Sequence, residues 1–376
     1  MLIRFLRKTA KSILVAVNSL LALCMLAGSF GGWLNPIHYW FTGYFTLGLF
    51  YIALALIIFF FFWLMTRPWI SLISLLTLII CWNPLTEVLP ARLSSHFNTN
   101  KENGNMRVMS WNVEHFDILE HKTHPERKQE MLSLINSYRP DIACFQEMVA
   151  SDSFPDAINY LPAFVKALGM DELHYSFNPK LDFDKKHHFG LIIFSRHPII
   201  NRQTISYRPN DYNSIFQYAD IVAGKDTFRV FNIHLQSLRF SGENKRYIAA
   251  PEMNDEADIK QSKNLLDKFR TGFLKRYRQS DRIREEIRQS PYPVIVCGDF
   301  NDVPNSYAYN HIGYGLQNAF AEKGIGTGRT YSGISPTLRI DNIFCDNRFT
   351  VEQYIRVRKK LSDHFPILAD LQYRPQ

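Results

Sequence analysis

Val294-Ile-Val-Cys-Gly-Asp-Phe-Asn301 is the stretch on which the reading of this chain turns. Its first four residues are apolar and mostly β-branched, and Pro291 and Pro293 precede them, which predicts a buried strand. Gly298 ends the run, and a carboxylate and a carboxamide follow two positions apart, at Asp299 and Asn301. Side chains at i and i+2 of an extended segment point the same way. In α/β sheets, polar groups at the carboxyl end of a buried strand lie where ligands bind.

The same pattern recurs. Strands are predicted over Met106–Asn112, Pro140–Glu147, Gly190–Ser195, Arg339–Phe344 and Phe365–Leu371, with a hairpin of Tyr218–Val222 and Phe228–Leu235. Helical spacing marks Glu126–Tyr138 and residues 258–289, the latter with Leu266, Phe269, Phe273 and Tyr277 on one face. Strands outnumber helices and many neighbours are hairpins. The expected class is therefore α/β, a mixed-sheet sandwich in place of a doubly wound parallel sheet.

Polar residues gather at these strand ends: Asn112, Glu147, His234, Asp299 with Asn301, Asp341, and Asp363-His364. Any one alone reads as an exposed strand end; their recurrence makes a candidate site. A carboxylate and an amide with waters suit Mg²⁺, with Mn²⁺ as a substitute, and Glu147 with Asn112 is the first choice for it. Asp341 can orient His364 from a neighbouring strand. Asp299 is then free to act on a water, Asn301 to orient phosphate oxygens or substrate, and His234 to neutralise a developing oxyanion. Together this is metal-assisted attack of water on a phosphoryl centre. Blander readings apply elsewhere: Asp302 as a turn acid, Tyr331 as a pocket or rim aromatic, and His187-His188 beside Lys185-Lys186 as a solvated loop. Residues 258–289 carry ten Lys/Arg against five acids. That fits a solvated amphipathic helix, or a lipid-headgroup docking helix acting through Lys275, Arg276 and Arg278.

The front of the 376-residue chain is different. Residues 13–30, 41–65 and 69–82 carry no charge, and a span needs about 20 apolar residues. The second stretch meets this easily, the first adequately, and the third is short unless it continues to Val88-Leu89. Arg4, Arg7, Lys8 and Lys11 precede the first stretch and Arg67 separates the second from the third, which predicts a cytoplasmic amino terminus. Three spans then deliver the rest of the chain outside the cytoplasm; a merely interfacial third stretch keeps it inside. A cleaved signal peptide ending near Ala27-Gly28-Ser29 is the alternative for the first stretch. Residues 1–95 hold six of the 43 Lys/Arg and one of the 35 acids, so most of the net charge of +8 orients the chain and is no sign of nucleic-acid binding. Cys144, Cys297 and Cys345 read as core thiols, and Cys24 and Cys81 lie in spans. The expected division is a membrane region over 1–91, an Asn-rich linker over 92–105 and a catalytic domain over 106–376.

Trp-Asn112, Gln-Glu147, Asn232-Ile-His234-Leu, Gly298-Asp-Phe-Asn301, Arg339-Ile-Asp341 and Ser362-Asp-His364 resemble, in this order, the motifs of the endonuclease/exonuclease/phosphatase superfamily. That superfamily includes pancreatic-type deoxyribonuclease, abasic-site endonuclease, neutral sphingomyelinases and inositol polyphosphate 5-phosphatases. The resemblance covers residues 106–372. It implies a four-layer sandwich of two mixed β-sheets flanked by helices, and a Mg²⁺-dependent phosphoesterase. It also implies metal-side roles for Glu147 and Asn112, and a metal-side or phosphate-side role for Asp363. Catalytic roles fall to His234, Asp299, Asn301 and the Asp341–His364 pair. Gln236-Ser237 and Thr330-Tyr331 are similar to membrane-anchored bacterial members, which implies an inner-membrane protein. Asn342 departs from the aromatic that commonly follows the Asp, which bears on the substrate rim. Two other functions stay open: a nuclease in the same compartment, and a catalytically silent binding scaffold.

Overall fold

The computed structural model describes residues 2–92, 96–120, 122–151, 159–179, 186–206, 215–238, 240, 242–249 and 256–375. Its strands are β1 (Asn105–Asn112), β2 (Ile142–Ser151), β3 (Glu172–Phe177), β4 (His187–Ser195), β5 (Ile199–Ser206) and β6 (Ile215–Ala223). They continue with β7 (Asp226–His234), β8 (Val294–Asp299), β9 (Leu316–Asn318), β10 (Asp341–Asp346), β11 (Phe349–Arg356) and β12 (Ile367–Tyr373). Two six-stranded mixed sheets result, ordered β11-β12-β1-β2-β4-β3 and β5-β6-β7-β8-β10-β9. At the centre of each lies one parallel pair, β1/β2 and β7/β8, and the remaining pairs are antiparallel.

The helices are α1 (Leu2–Phe30), α2 (Pro36–Tyr39), α3 (Thr42–Leu47), α4 (Leu49–Thr66), α5 (Pro68–Ile80), α6 (Trp82–Val88), α7 (Arg127–Tyr138), α8 (Leu161–Leu168), α9 (Gly242–Ala249), α10 (Glu256–Arg288), α11 (Tyr307–Gly313) and α12 (Ala319–Lys323). Three cores stack the sandwich into four layers. Met131, Leu132 and Phe164 of α7 and α8 pack on Trp111 and Phe145 of the first sheet. Val108, Cys144, Val230 and Cys297 fill the space between the sheets. Ile283 and Ile287 of α10 and Ile312 of α11 pack on Phe231 and Val296 of the second sheet. Alternate residues of β8 thus enter different cores, which is why Val294–Cys297 is apolar without a break.

Two helical segments, Arg4–Trp33 and Leu49–Thr66, are long and apolar enough to cross a membrane, and the pair α5 and α6, bent by 65°, makes a third if counted as one. The predicted second stretch is broken: α3 ends at Leu47, Gly48 caps it with its N–H bonded back to Tyr44 O, and α4 starts anew at Leu49. Ser74 of α5 donates to the buried Asn18 of α1 at 2.8 Å, the kind of polar tie that holds apolar helices together.

Several other expected segments make contacts that the sequence did not suggest. Within the segment expected as a linker, 92–105, Arg92 N donates to Gly324 O, and the Asn98 and Thr99 carbonyls accept from the buried Arg107. Ser94 and Ser95 of that segment lie outside the described residues. His187 and His188 belong to β4, with His188 stacked on Phe177 at 4.2 Å; Lys185 is outside the described residues. The predicted apolar face of α10 turns toward the N-terminal apolar helices, where Phe269 and Phe273 meet Tyr44. Arg276 is no surface cation: it is buried, pairs with Asp302 at 2.9 Å and donates to Gln236 O. Asp302, expected as a turn acid, is its partner and also accepts from Val303 N.

Candidate active site

The two parallel pairs end at the same edge, and the predicted residues stand there in register. His234 closes β7 opposite Asp299, and Asp299 lies opposite Asp341, so three adjacent strands present three titratable groups side by side. In the other sheet Asn112 pairs with Gln146, and a bulge between Phe145 and Met148 turns Glu147 out of the ladder. Glu147 (φ 56°) and Asn301 (φ 48°) both adopt left-handed backbone, a cost of about 1–3 kcal/mol each that marks held functional positions. Gly298 has φ 147°, and a Cβ there would meet Ile233 O at 2.0 Å. Only glycine lets β7 and β8 close up where His234 and Asp299 align.

Asp299 is the hub. Its carboxylate accepts from Asn301 N at 2.8 Å, Asn301 Nδ2 at 3.2 Å and Asn112 Nδ2 at 3.2 Å. His234 Nε2 stands 3.5 Å and His364 Nε2 3.6 Å from Asp299 Oδ2. Burial would push this carboxyl up, but His364, His234 and the Asn301 N–H together hold it below the usual carboxylate range. His364 Nδ1 pairs with Asp341 Oδ2 at 2.8 Å. Burial pulls His364 down; Asp341 and then Asp299 outweigh it, leaving the imidazole well above its ordinary value. Burial also lowers His234, and Asp299 and Glu147 reverse the sign. Asp341, by contrast, is raised, by burial first and by Asp299, against the pull of His364.

Glu147 sits at the opening of the site. Its Oε1 accepts from Asn112 Nδ2 at 3.1 Å and lies 3.8 Å from His234 Nε2; its Oε2 lies 3.5 Å from His115 Nε2. Asp363 lines the same cavity, with Oδ1 3.9 Å from His364 Nε2. The eight expected residues are thus brought together, with two differences in contact. Asn112 turns its amide nitrogen toward Glu147 and Asp299, and its oxygen accepts from Glu114 N. Asn301 spends its amide on Asp299 and Leu235 O, which positions the carboxylate more directly than any phosphate.

The residues present fit a hard divalent cation. Glu147, Asp299, Asp341 and Asp363 crowd a site whose compensating groups are histidines, and His234 Nε2 is buried between two carboxylates without a hydrogen bond. Among the described residues, Asp299, Asp341 and His364 form a group of potential ligands whose atoms all lie within 4.8 Å of one another. Asp341 and His364 Nδ1 already satisfy each other there. The half-buried Glu147, with Asp363, is the better oxygen set, and Asn112, expected on the metal side, braces Glu147 through its amide nitrogen instead.

Several residues that the sequence offered only as members of motifs, with no role of their own, act by positioning the site. Gln146 Nε2 donates to Asn232 Oδ1 at 2.7 Å, and Asn232 Nδ2 donates to the Phe145 and Ile192 carbonyls, a buried tie between the sheets directly beneath Glu147. Thr330 Oγ1 accepts from Ile340 N and Asp341 N, and Ser362 Oγ accepts from His364 N while donating to Asn112 O. Glu114 accepts from Asp363 N. Tyr331 lines the cavity with its ring 5.1 Å from that of His364. The side chain of Asn342 is taken up by Asn318, so this departure leaves the rim untouched.

Comparison with known proteins agrees with this arrangement. The family model described as Endonuclease/Exonuclease/phosphatase family matches residues 109–364, and one described as a domain of unknown function matches residues 11–88. No curated protein matches the chain. Among solved structures, an endonuclease/exonuclease/phosphatase family protein from Bacteroides thetaiotaomicron is similar at TM-score 0.51 and 16% identity, over 73% of this chain and 100% of that one. The human Nocturnin catalytic domain with bound sulfate anion is similar at TM-score 0.50 and 18% identity, over 75% and 96%. At such identities the likeness is one of fold. The family match spans most of the sandwich and runs from β1 through His364; this chain belongs to the endonuclease/exonuclease/phosphatase family.

Proposed function

We propose that the protein is a membrane-anchored, Mg²⁺-dependent phosphoesterase that hydrolyses a phosphodiester or phosphomonoester outside the cytoplasm. The observation that carries this is the in-register row His234–Asp299–Asp341, completed by His364 and faced by Glu147. Glu147 and Asp363, with Asn112 positioning Glu147, would hold the cation, which when bound supplies electrophilic activation and neutralises phosphate charge. Asp299, ionised and fixed by Asn301 and Asn112, takes the proton of a water as its oxygen bonds to phosphorus. The ester P–O bond opposite breaks, and the leaving oxygen takes a proton from a solvent water, while Asp299 returns its proton to solvent. His364, kept cationic by Asp341, and His234 both turn Nε2 toward Asp299 and neutralise charge that grows on the phosphoryl oxygens.

Anchoring is supported by the apolar α1 and α4. The sandwich bonds to Tyr44, Tyr51 and Glu87, all at the helix ends opposite Arg4–Lys11 and Arg67, which favours a catalytic domain outside. A reporter fused after residue 92 and active in the cytoplasm would reverse that orientation. The full chain in detergent with Mg²⁺, assayed on a soluble phosphodiester, phospholipid vesicles, inositol phosphates and plasmid DNA, tests the activity. Hydrolysis that disappears in Glu147→Gln and Asp299→Asn supports it. Cleavage of DNA alone makes the protein a nuclease, and no cleavage of any phosphoester ends the proposal.

A further inference from the structure

We infer that the substrate is a bilayer-resident amphiphile, with its phosphoester at the Glu147–Asp299–His364 site and its apolar chain against the helices that anchor the protein. This rests on the phosphoesterase reading above and names its substrate class.

One cavity of about 590 Å³, an ordinary ligand-site volume, is lined both by Glu147, Asp299 and His364 and by Leu47, Gly48 and Tyr51. The first three belong to the sandwich and the last three to the junction of α3 and α4. That junction is fastened on two sides: Tyr44 donates to Leu266 O of α10 at 2.8 Å, and the Tyr51 hydroxyl meets Ser335 Oγ at 3.1 Å. Leu265, beside Leu266, and Ser335 itself line the cavity, so the helix break forms part of its wall.

The level of this wall in a bilayer follows from helix geometry. α4 has 18 residues and rises about 27 Å, close to the roughly 30 Å of hydrocarbon. With Arg67 at one water boundary, Gly48 falls at the other. Tyr39, Trp40, Phe41, Tyr44 and Tyr51 cluster around it, the composition of an interfacial belt. A lipid headgroup at that depth can reach the carboxylates while its chain stays on the apolar side.

The wall chemistry selects the same occupant. Leu238, Phe240, Leu265 and Phe269 extend the lining away from the acidic groups. A wholly polar phosphoester would leave them hydrated, whereas an acyl or prenyl chain removes them from water. Among the described lining residues the permanent cation is Arg276, which is already paired with Asp302.

The test uses the full chain in phosphatidylcholine vesicles doped with phosphatidic acid that carries a diazirine in its acyl chain. Irradiation should label the cavity-facing segments around Leu47 and Leu265. Gly48→Trp should cut that labelling at least about tenfold, the effect of displacing about two methylenes from an apolar site. A Cβ at Gly48 meets no atom closer than 3.6 Å, so the backbone accepts the change. Leu265→Asp, on a different element, should give the same loss. Labelling confined to the outward faces of α1 and α4, or unchanged in both variants, overturns the inference. Hydrolysis of bis(p-nitrophenyl) phosphate by the same preparation reports on the parent reading: if it persists while cavity labelling is absent, only the lipid assignment falls.

Discussion

Replacing Asp341 by Asn keeps an oxygen opposite His364 Nδ1 and removes only the charge. The two atoms are 2.8 Å apart and both side chains are buried. After burial, which lowers the imidazole, Asp341 is the largest influence raising it. A hydrogen bond to a charged group contributes about 1.5–3 kcal/mol and a neutral one about 0.5–1.5 kcal/mol. The imidazolium therefore loses about 1.5 kcal/mol, which is about tenfold in any step that needs it. Thr330, through its bonds to Ile340 N and Asp341 N, keeps the backbone in place. The expected result is a kcat on a soluble phosphodiester about tenfold lower. The sign of the pH effect follows: the cation that Asp341 sustains is lost sooner as pH rises, so the alkaline limb of the profile moves to lower pH. In a His364→Ala background the same replacement should cost almost nothing further, because the pair acts as a unit. An unshifted alkaline limb, or losses that multiply in the double variant, would refute this coupling.

Gly298→Ala forces a Cβ to within 2.0 Å of Ile233 O at a φ of 147°, and should cost more than about 3 kcal/mol. The melting temperature of the full chain in detergent should fall by roughly 6–12 °C; a fall below roughly 2 °C contradicts the close approach of β7 and β8. Arg276→Gln leaves Asp302 as an unpaired buried carboxylate, about 3–5 kcal/mol by the usual cost of breaking such a pair, and should also lower the melting temperature. Weaker vesicle binding without any loss of stability would instead restore the reading of α10 as a headgroup-docking helix.

The strand ends were legible because a strand buried on both faces reads as a continuous apolar run, and the residue that stops the run marks the sheet edge. Val294–Cys297 before Asp299 and Ile142–Phe145 before Glu147 are of this kind. Partnership across distance was not legible. Periodicity found an apolar face on α10 at Phe269 and Phe273 but could not say that Tyr44 of α3 would cover it, nor that Ile283 and Ile287 would face the sheet. Net charge counted Arg276 among the surface cations, though Asp302 holds it inside. The Gln146–Asn232 tie joins residues 86 positions apart, and the motifs that contain them do not say that the two amides meet. The break at Gly48 lies in a run as apolar as the helices around it, so hydropathy passed over a feature that brings the N-terminal helices to the cavity.

The central claim is that hydrolysis occurs at the joined ends of β1, β2, β7 and β8 with a cation held by Glu147. Its most direct test is the initial rate of bis(p-nitrophenyl) phosphate hydrolysis by the full chain as Mg²⁺ is titrated. For the native chain the rate should be absent in chelator and should saturate with Mg²⁺. Glu147→Gln should require at least about tenfold more Mg²⁺ to reach half its maximum, as expected when one carboxylate ligand is neutralised, and Asp299→Asn should bind the cation yet hydrolyse at least about a hundredfold more slowly. Undiminished hydrolysis in chelator, or native rates and native Mg²⁺ dependence in both variants, would contradict the account.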